Sequence, residues 1–235
     1  MAAAVALFKR ERHAAIALLL DAIDADVLVD AQCYLWGGAA LAMPFGEWRE
    51  TTNIDLVIAD GCGYRELRQS ISERGIRSMF HTPIVVSREP VTDQYGIQAV
   101  LESTVGPVRL KISYETRMPL ERPSVSDNVC GVRALTVADL VASKLLAIDD
   151  RWQGPTNYSR DLIDLAVLKA NRTDWISGHS KARGTYGDAV DDSLRRAVEF
   201  ALYEPGWLDL CVHQMKMDID VGNLRPLISG LAESA

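Results

Sequence analysis

Two glycines followed by a strand with a single acid constrain this chain more than any other feature. Residues 34–60 have the sequence YLWGGAALAMPFGEWRETTNIDLVIAD. Gly37 and Gly38 have no Cβ atoms, so their backbone can adopt unusual torsions and approach a ligand closely. If a helix begins directly after them, its free N–H groups and the positive end of its dipole favour an anion such as a phosphate.

The strand that follows this turn carries the acid. Residues 53–58 alternate between polar and aliphatic side chains over most of their length. Side chains in a strand have a period of two, so Asn53 and Asp55 share one face. A phosphate-binding turn that faces a strand acid is the layout of a nucleotide site, and the sequence predicts such a site here.

The order of residues in this stretch resembles the opening motif of the AbiEii/AbiGii toxin family of nucleotidyltransferases. This family belongs to the DNA polymerase beta superfamily and includes the MenT-type toxins. Its motif is Gly-Gly, an apolar helix, an Arg, a Ser or Thr, and then Asp-x-Asp followed by aliphatic residues. The residues that match it here are Gly37, Gly38, Ala40, Leu41, Arg49, Thr51, Asn53, Asp55 and Leu56. Asn53 stands where the first metal-binding Asp is expected.

A second segment, about a hundred residues further on, resembles the later signature of the same family. In that signature one helix carries a Lys and a following Arg, and the next helix opens with Arg-Asp and a second Asp. The matching residues are Lys144, Arg151, Arg160, Asp161 and Asp164. Two ordered motifs are much more specific than a lone Gly-Gly pair. The resemblance covers roughly residues 30 to 170.

The resemblance implies transfer of an NMP from an NTP to an acceptor hydroxyl, with Mg²⁺ as cofactor. The catalytic residues that it implies are Asp55, Lys144 and Asp161. The nucleotide-binding residues are Gly37, Gly38, Arg49, Thr51 and Arg151. The candidate metal ligands are Asp55, Asn53 and Glu115. For Arg49 and Thr51 the alternative is a structural role in the loop before the strand.

The set of acids expected at such a site is incomplete. Members of the superfamily place two carboxylates at Asp-x-Asp and a third on a neighbouring strand, because two Mg²⁺ ions need anionic oxygen ligands. Asn53 offers a neutral carbonyl oxygen, and Ser113 stands at the third position. Glu115 lies two residues beyond Ser113 on the same face of the predicted strand, so it is the candidate substitute.

The charged residues of the second motif have structural alternatives. Lys144 and Arg151 either face a triphosphate across a cleft or form a solvated helix edge. Asp161 suits the first turn of a helix because of the helix dipole, and by resemblance it also serves as an acid or base or organises Lys144. Asp164 suits an ion pair with Arg160 on the same helix face.

The pattern along the chain predicts an α/β (α+β) fold. We expect a nucleotidyltransferase-like mixed sheet core over residues 1–134 and a helical C-terminal lobe over 135–235. In the core, the predicted strands are 32–36, 53–58, 83–87, 95–103, 107–115 and an edge strand over 129–134, with 95–103 and 107–115 forming an antiparallel hairpin. The predicted helices are 2–24, 38–43, 63–75, 136–150, 159–171, 173–182, 187–203, 206–217 and 223–233.

The composition argues against three classes: proteins that bind polyanions nonspecifically, membrane proteins and disulfide-rich proteins. The net charge of −7 argues against nonspecific binding of polyanions, although a local basic patch could hold tRNA or a nucleotide. No apolar run is long enough to span a membrane, and the N-terminus lacks a signal-peptide pattern, so we expect a cytoplasmic protein without a membrane partner. The cysteines have neither disulfide nor zinc spacing, so we expect free thiols at Cys33, Cys62, Cys130 and Cys211.

Three functional hypotheses follow. The first is an active nucleotidyltransferase that adds a nucleotide to tRNA, another RNA or a protein, as the toxin of a type IV toxin–antitoxin or phage-defence pair with a cognate antitoxin. The second is a catalytically degenerate relative that binds a nucleotide or a protein partner; the loss of acids at Asn53 and Ser113 favours it. The third is an α/β domain with no nucleotide role, which leaves both motifs unexplained.

Overall fold

The computed structural model describes residues 8–168 and 172–232, which divide into two compact units. The first unit contains the described residues up to Glu47 together with Thr51–Thr136. The second contains Trp48–Glu50 and the described residues from Val137 onward. The segment Trp48–Glu50 therefore groups with the second unit although its sequence neighbours belong to the first. Independent domains over 1–134 and 135–235 stay a prediction.

A five-stranded mixed sheet forms the centre of the first unit. Its strands in chain order are β1 (Cys33–Trp36), β2 (Asn53–Ile58), β3 (Val86–Thr92), β4 (Gly96–Leu101) and β5 (Val108–Tyr114). Their order in space is β1-β2-β5-β4-β3. β2 and β5 are parallel, and the other neighbouring pairs are antiparallel. The predicted mixed sheet and the predicted hairpin of β4 and β5 are confirmed.

The period of two along the strands gives the sheet one apolar face. On β2 and β5 the aliphatic side chains that alternate with polar ones are completely or almost completely buried: Ile54, Leu56, Leu110 and Ile112. The positions between them carry Asn53 and Asp55 on β2 and Arg109 and Lys111 on β5. Asn53 and Asp55 of the opening motif thus lie on the face opposite these buried aliphatic side chains.

The helices of the first unit differ from the prediction at its beginning. They are α1 (Glu11–Asp21), α2 (Ala25–Asp30), α3 (Gly37–Ala42) and α4 (Gly61–Arg74). The helix predicted over 2–24 is too long, and residues 1–7 lie outside the described part. α1 ends before Asp24, whose side chain accepts a hydrogen bond from the Asp26 N–H and so begins the separate helix α2.

The prediction of an edge strand over 129–134 is wrong. These residues form a two-stranded hairpin of β6 (Asn128–Val129) and β7 (Val132–Arg133), and Ala134 makes a single isolated bridge to Leu35 of β1 instead of extending the main sheet by a strand. The two residues between the strands, Cys130 and Gly131, both have positive φ, at 49° and 88°. That conformation is typical of a type I′ hairpin turn, which folds the chain back on itself.

The second unit consists of α-helices joined by loops and turns and has no strand in the residues that the structure describes. Its α-helices are α5 (Val137–Arg151), α6 (Arg160–Leu168), α7 (Arg172–Tyr186), α8 (Ala189–Tyr203), α9 (Trp207–Gln214) and α10 (Val221–Ala232). α7 continues four residues past its predicted end and stops only before Gly187, whose φ is 65°. α5 and α7 approach closely at Gly178, where an added Cβ would lie 2.4 Å from the carbonyl oxygen of Ala138.

Candidate functional site

Asp55 lies on β2 beside the end of β1. The antiparallel register pairs Asp55 with Trp36, the last residue of β1, so the chain turns at Gly37 next to the carboxylate. Gly37 has a φ of +67°, and a Cβ added to it would lie 3.2 Å from Oδ2 of Asp55. A side chain at position 37 would therefore strain the backbone and press on the carboxylate. The structure brings these two predicted site residues together.

The parallel register of β2 and β5 determines which side chains flank Asp55. It pairs Asp55 with Lys111, Asn53 with Arg109, and Val57 with Ser113. Neighbouring strands lie about 4.8 Å apart, and side chains at paired positions point to the same face. The position directly beside Asp55 therefore holds a cation. The period of two along the strand puts Lys111 on the same face as Ser113, but it does not give the register that puts Lys111 next to Asp55.

Glu115 occupies a different place from the one predicted. It lies four residues beyond Lys111, which corresponds to about 13 Å along an extended strand. Its carboxylate is buried and accepts hydrogen bonds from Arg117, at 2.8 Å from the backbone N–H and 2.7 Å from Nη2. The register thus contradicts the prediction that Glu115 and Asp55 ligate the same metal ion.

The donor set around Asp55 does not fit two Mg²⁺ ions. Within residues 8–168 and 172–232, no group of three or more His, Cys, Asp or Glu side chains could hold a metal ion. Asn53 contributes a neutral oxygen and Lys111 a positive charge. Mg²⁺ is commonly held by one or two carboxylates together with substrate phosphates and water, so a single ion on Asp55 and Asn53 fits these residues.

A buried cluster of charges occupies the second unit. Nζ of Lys144 on α5 donates to Oδ1 of Asp161 and Oδ2 of Asp164 on α6, at 2.8 Å each. Arg49 donates to Asp164 through Nε at 2.6 Å and Nη2 at 2.7 Å. Arg151 donates to Oδ2 of Asp161 at 2.8 Å. We call these five residues the buried charge cluster.

Burial and charge act in opposite directions on the two aspartates of this cluster. Burial alone would raise the pKa of Asp161, but Lys144 and Arg151 outweigh it and hold that pKa below its ordinary value. Burial likewise opposes ionisation of Asp164, and Arg49 and Lys144 hold its pKa far below the ordinary value. Both carboxylates are therefore ionised at neutral pH, and three cations face two anions.

The cluster decides between several of the alternatives. Lys144 is 5% exposed, so it does not form a solvated helix edge, whereas 47% of the Arg151 side chain is exposed. The ion pair of Asp164 with Arg160 is wrong, because Asp164 is fully buried and its carboxylate is bound by Lys144 and Arg49. The bidentate pair favours the structural role for Arg49, and its contact with a nucleotide stays a prediction.

His13 and Glu47, for which the sequence predicted no role, position the segment before β2. Nε2 of the buried His13 accepts a hydrogen bond from the Thr51 N–H at 2.9 Å. Nδ1 of His13 lies 3.0 Å from Oε2 of Glu47, and because Nε2 is an acceptor, the bonding pattern assigns the proton to Nδ1. This contact favours the structural role for Thr51. A single His on an apolar helix gives no sequence signal for such a contact.

No cysteine belongs to the residues described around Asp55 or to the buried charge cluster. All four are free, as predicted. Burial raises the pKa of the Cys130 thiol to about 11 and that of Cys211 to about 12, so both stay protonated at neutral pH. They are unreactive as nucleophiles in that form.

Comparison with known proteins assigns the chain to a family. The nucleotidyl transferase AbiEii toxin family of type IV toxin–antitoxin systems matches over residues 18–211. No curated protein matches the chain. In the described residues no helix is long and apolar enough to cross a membrane, and a cytoplasmic location stays a prediction.

Two solved structures from Helicobacter pylori resemble this fold. The crystal structure of JHP933 has 18% sequence identity and a TM-score of 0.53, over 93% of this chain and 90% of that one. A protein provisionally assigned as a nucleotidyltransferase has 14% identity and a TM-score of 0.44, over 93% of this chain and 92% of that one. The first likeness supports the fold, and the family match covers both motifs. The chain belongs to the AbiEii family of nucleotidyltransferase toxins of type IV toxin–antitoxin systems.

Proposed function

We propose that this protein transfers an NMP from an NTP to an acceptor hydroxyl on tRNA, another RNA or a protein. The observation that carries the proposal is the position of Gly37 relative to Asp55. Gly37 has a positive φ, and its backbone lies directly beside the carboxylate of Asp55 on β2. Membership of the AbiEii family supplies the reaction class and implies a cognate antitoxin. The acceptor and the preferred NTP are to be found by experiment.

In the first unit, the proposed site consists of Gly37, Gly38, Asn53 and Asp55. The glycines let the backbone approach the phosphates without steric hindrance from a side chain. Asp55 and Asn53 share the polar face of β2 and would hold one Mg²⁺ together with the phosphates of the substrate. When bound, that ion neutralises negative charge on the phosphoryl groups.

In the second unit, the proposed functional residues are Lys144, Asp161 and Arg151. Lys144 is held by two carboxylates, so its position is fixed before a ligand arrives. Preorganised cations stabilise the charge of a phosphoryl group more effectively than mobile ones. The half-exposed Arg151 also suits an anionic ligand.

A second candidate function is a catalytically degenerate module that binds a nucleotide or a partner. Asn53 and Ser113 favour it, because they stand where the family motif has acids, and the neighbour of Asp55 on β5 is the cation Lys111. Both candidates are compatible with binding of an NTP, but only the first predicts transfer of the labelled nucleotide. A transfer assay therefore discriminates between them.

The experiment supplies each α-³²P-labelled NTP in turn, with Mg²⁺, to the protein mixed with total tRNA or with a protein extract. Label in the acceptor is measured after denaturing electrophoresis. We expect Asp55→Asn to lower transfer about 100-fold or more. The matched control is Asp30→Asn, which removes the same charge from an exposed position at the end of α2. Absence of transfer with every NTP, or transfer indifferent to Asp55→Asn, would refute the proposal.

A further inference from the structure

Two cations beside Asp55 have no partner in the residues that the structure describes. Lys111 pairs in register with Asp55, and Arg109 pairs with Asn53. No hydrogen bond or ion pair joins either cation to another described residue. Arg109 is exposed and Lys111 is partly exposed. Each cation is therefore available to a ligand on the polar face of the sheet.

The same face carries two buried polar atoms without partners among the described residues. These are Nε1 of Trp36 and Oγ of Ser113. Trp36 pairs with Asp55 across β1 and β2, and Ser113 lies two residues from Lys111 along β5, so both share its face. A buried donor without an acceptor is unfavourable, and native proteins rarely contain one unless a ligand or water satisfies it.

These groups share one chemical property, because all four can donate hydrogen bonds and two carry positive charge. A phosphoryl group is the complementary ligand, with several acceptor oxygens and negative charge. A second metal ion is not the complement, since Lys111 would repel it and donates rather than accepts. The face therefore favours an acceptor-rich anion next to the single carboxylate.

We propose that Lys111, the residue beside Asp55, binds the triphosphate of the NTP directly, with Arg109 as a second phosphate ligand. This inference rests on the proposed function of the Asp55 site. One Mg²⁺ at most then accompanies the nucleotide, because the two cations on β5 supply charge that a second ion would otherwise supply. Part of the NTP affinity consequently persists without any divalent ion.

The test is isothermal titration of each NTP into the full chain, once with EDTA and once with Mg²⁺. We expect wild type to bind an NTP under both conditions and Lys111→Gln to bind it about 10-fold or more weakly under both. Lys111→Arg keeps the charge and should restore most of the affinity. Arg68→Gln removes one exposed cation from α4 and should change the affinity less than about twofold. Far-UV circular dichroism checks that each variant is folded.

A titration of Mn²⁺ followed by electron paramagnetic resonance counts the ions in the protein–NTP complex. One ion supports the inference, and two ions overturn it. Unchanged NTP binding by Lys111→Gln also overturns it, as does a variant that loses binding of a short RNA but keeps binding of the NTP. Transfer of label without dependence on Lys111 refutes the inference alone, whereas Lys111-dependent binding without transfer refutes the proposed function alone.

Discussion

Replacing Asp164 by Asn tests the energetics of the buried charge cluster. Asp164 is completely buried and accepts hydrogen bonds from Arg49 at 2.6 and 2.7 Å and from Lys144 at 2.8 Å. Asp164→Asn removes the charge of the carboxylate that binds the Arg49 guanidinium, and the Arg49 side chain is only 4% exposed. Removing one partner of a buried ion pair costs about 3–5 kcal/mol, and we expect a loss of that size in the free energy of unfolding.

Urea unfolding followed by tryptophan fluorescence measures this loss in the second unit, which contains the buried charge cluster. The five tryptophans of the protein include four in the second unit: Trp48, Trp152, Trp175 and Trp207. With a urea slope of about 2 kcal/mol per M, the expected loss lowers the midpoint by about 1.5–2.5 M. Far-UV circular dichroism, recorded in parallel, shows whether the helices unfold in the same transition.

A second substitution separates the lost ion pair from other effects. Arg49→Met removes the guanidinium that binds Asp164, so the double variant should be more stable than the sum of the two single losses predicts. The difference for directly bonded residues is about 0.5–3 kcal/mol. A loss below about 1 kcal/mol for Asp164→Asn, or strictly additive losses, would refute the interpretation of this pair as a coupled buried ion pair.

Three further predictions concern pH and glycine. Because the folded-state pKa of Asp164 lies below its unfolded value of about 4, its stabilisation is present above that pH and lost as the pH falls through and below it; acid unfolding of Asp164→Asn should be less steep than that of wild type. Gly37→Ala should cost about 1–2 kcal/mol and also weaken NTP binding, whereas Gly131→Ala, with positive φ but open space around it, should cost stability alone, as urea unfolding and titration would show. Gly178→Ala should lower the unfolding free energy by about 1–3 kcal/mol because an added methyl collides with the facing helix; Gly184→Ala in the same helix meets nothing and should be neutral or stabilising.

Local patterns predicted the elements that depend on neighbours in sequence. Alternation of polar and aliphatic residues gave β2 its observed bounds, Asn53–Ile58. It also gave the faces of β2 and β5, since each follows from a period of two within one strand. The bounds of β3 were not predicted correctly: the predicted strand is 83–87 and the observed one is Val86–Thr92, with Pro90 inside it. A proline is tolerated there because β3 is at the edge of the sheet, which only the complete topology shows.

Contacts between distant segments could not be obtained in the same way. The face of Lys111 was predictable, but its place beside Asp55 depends on the register between two strands that are not neighbours in sequence. The sequence suggested a local partner for Asp164, four residues away, whereas its observed partners are 20 and 115 residues away. His13 gave no signal because its function is a contact with the backbone of Thr51.

The buried charge cluster is compatible with the proposed role of Lys144 in binding an anionic ligand, although Lys144 is bound by two carboxylates. Arg49 takes both oxygens of Asp164, and Arg151 takes one oxygen of Asp161, so each carboxylate is shared between two cations. An ammonium group has three N–H bonds, and the two aspartates account for two of those on Lys144. The remaining N–H suits a phosphoryl oxygen in the proposed function. Arg49 would then contribute to function through Asp164, by keeping the charge of Lys144 from being cancelled.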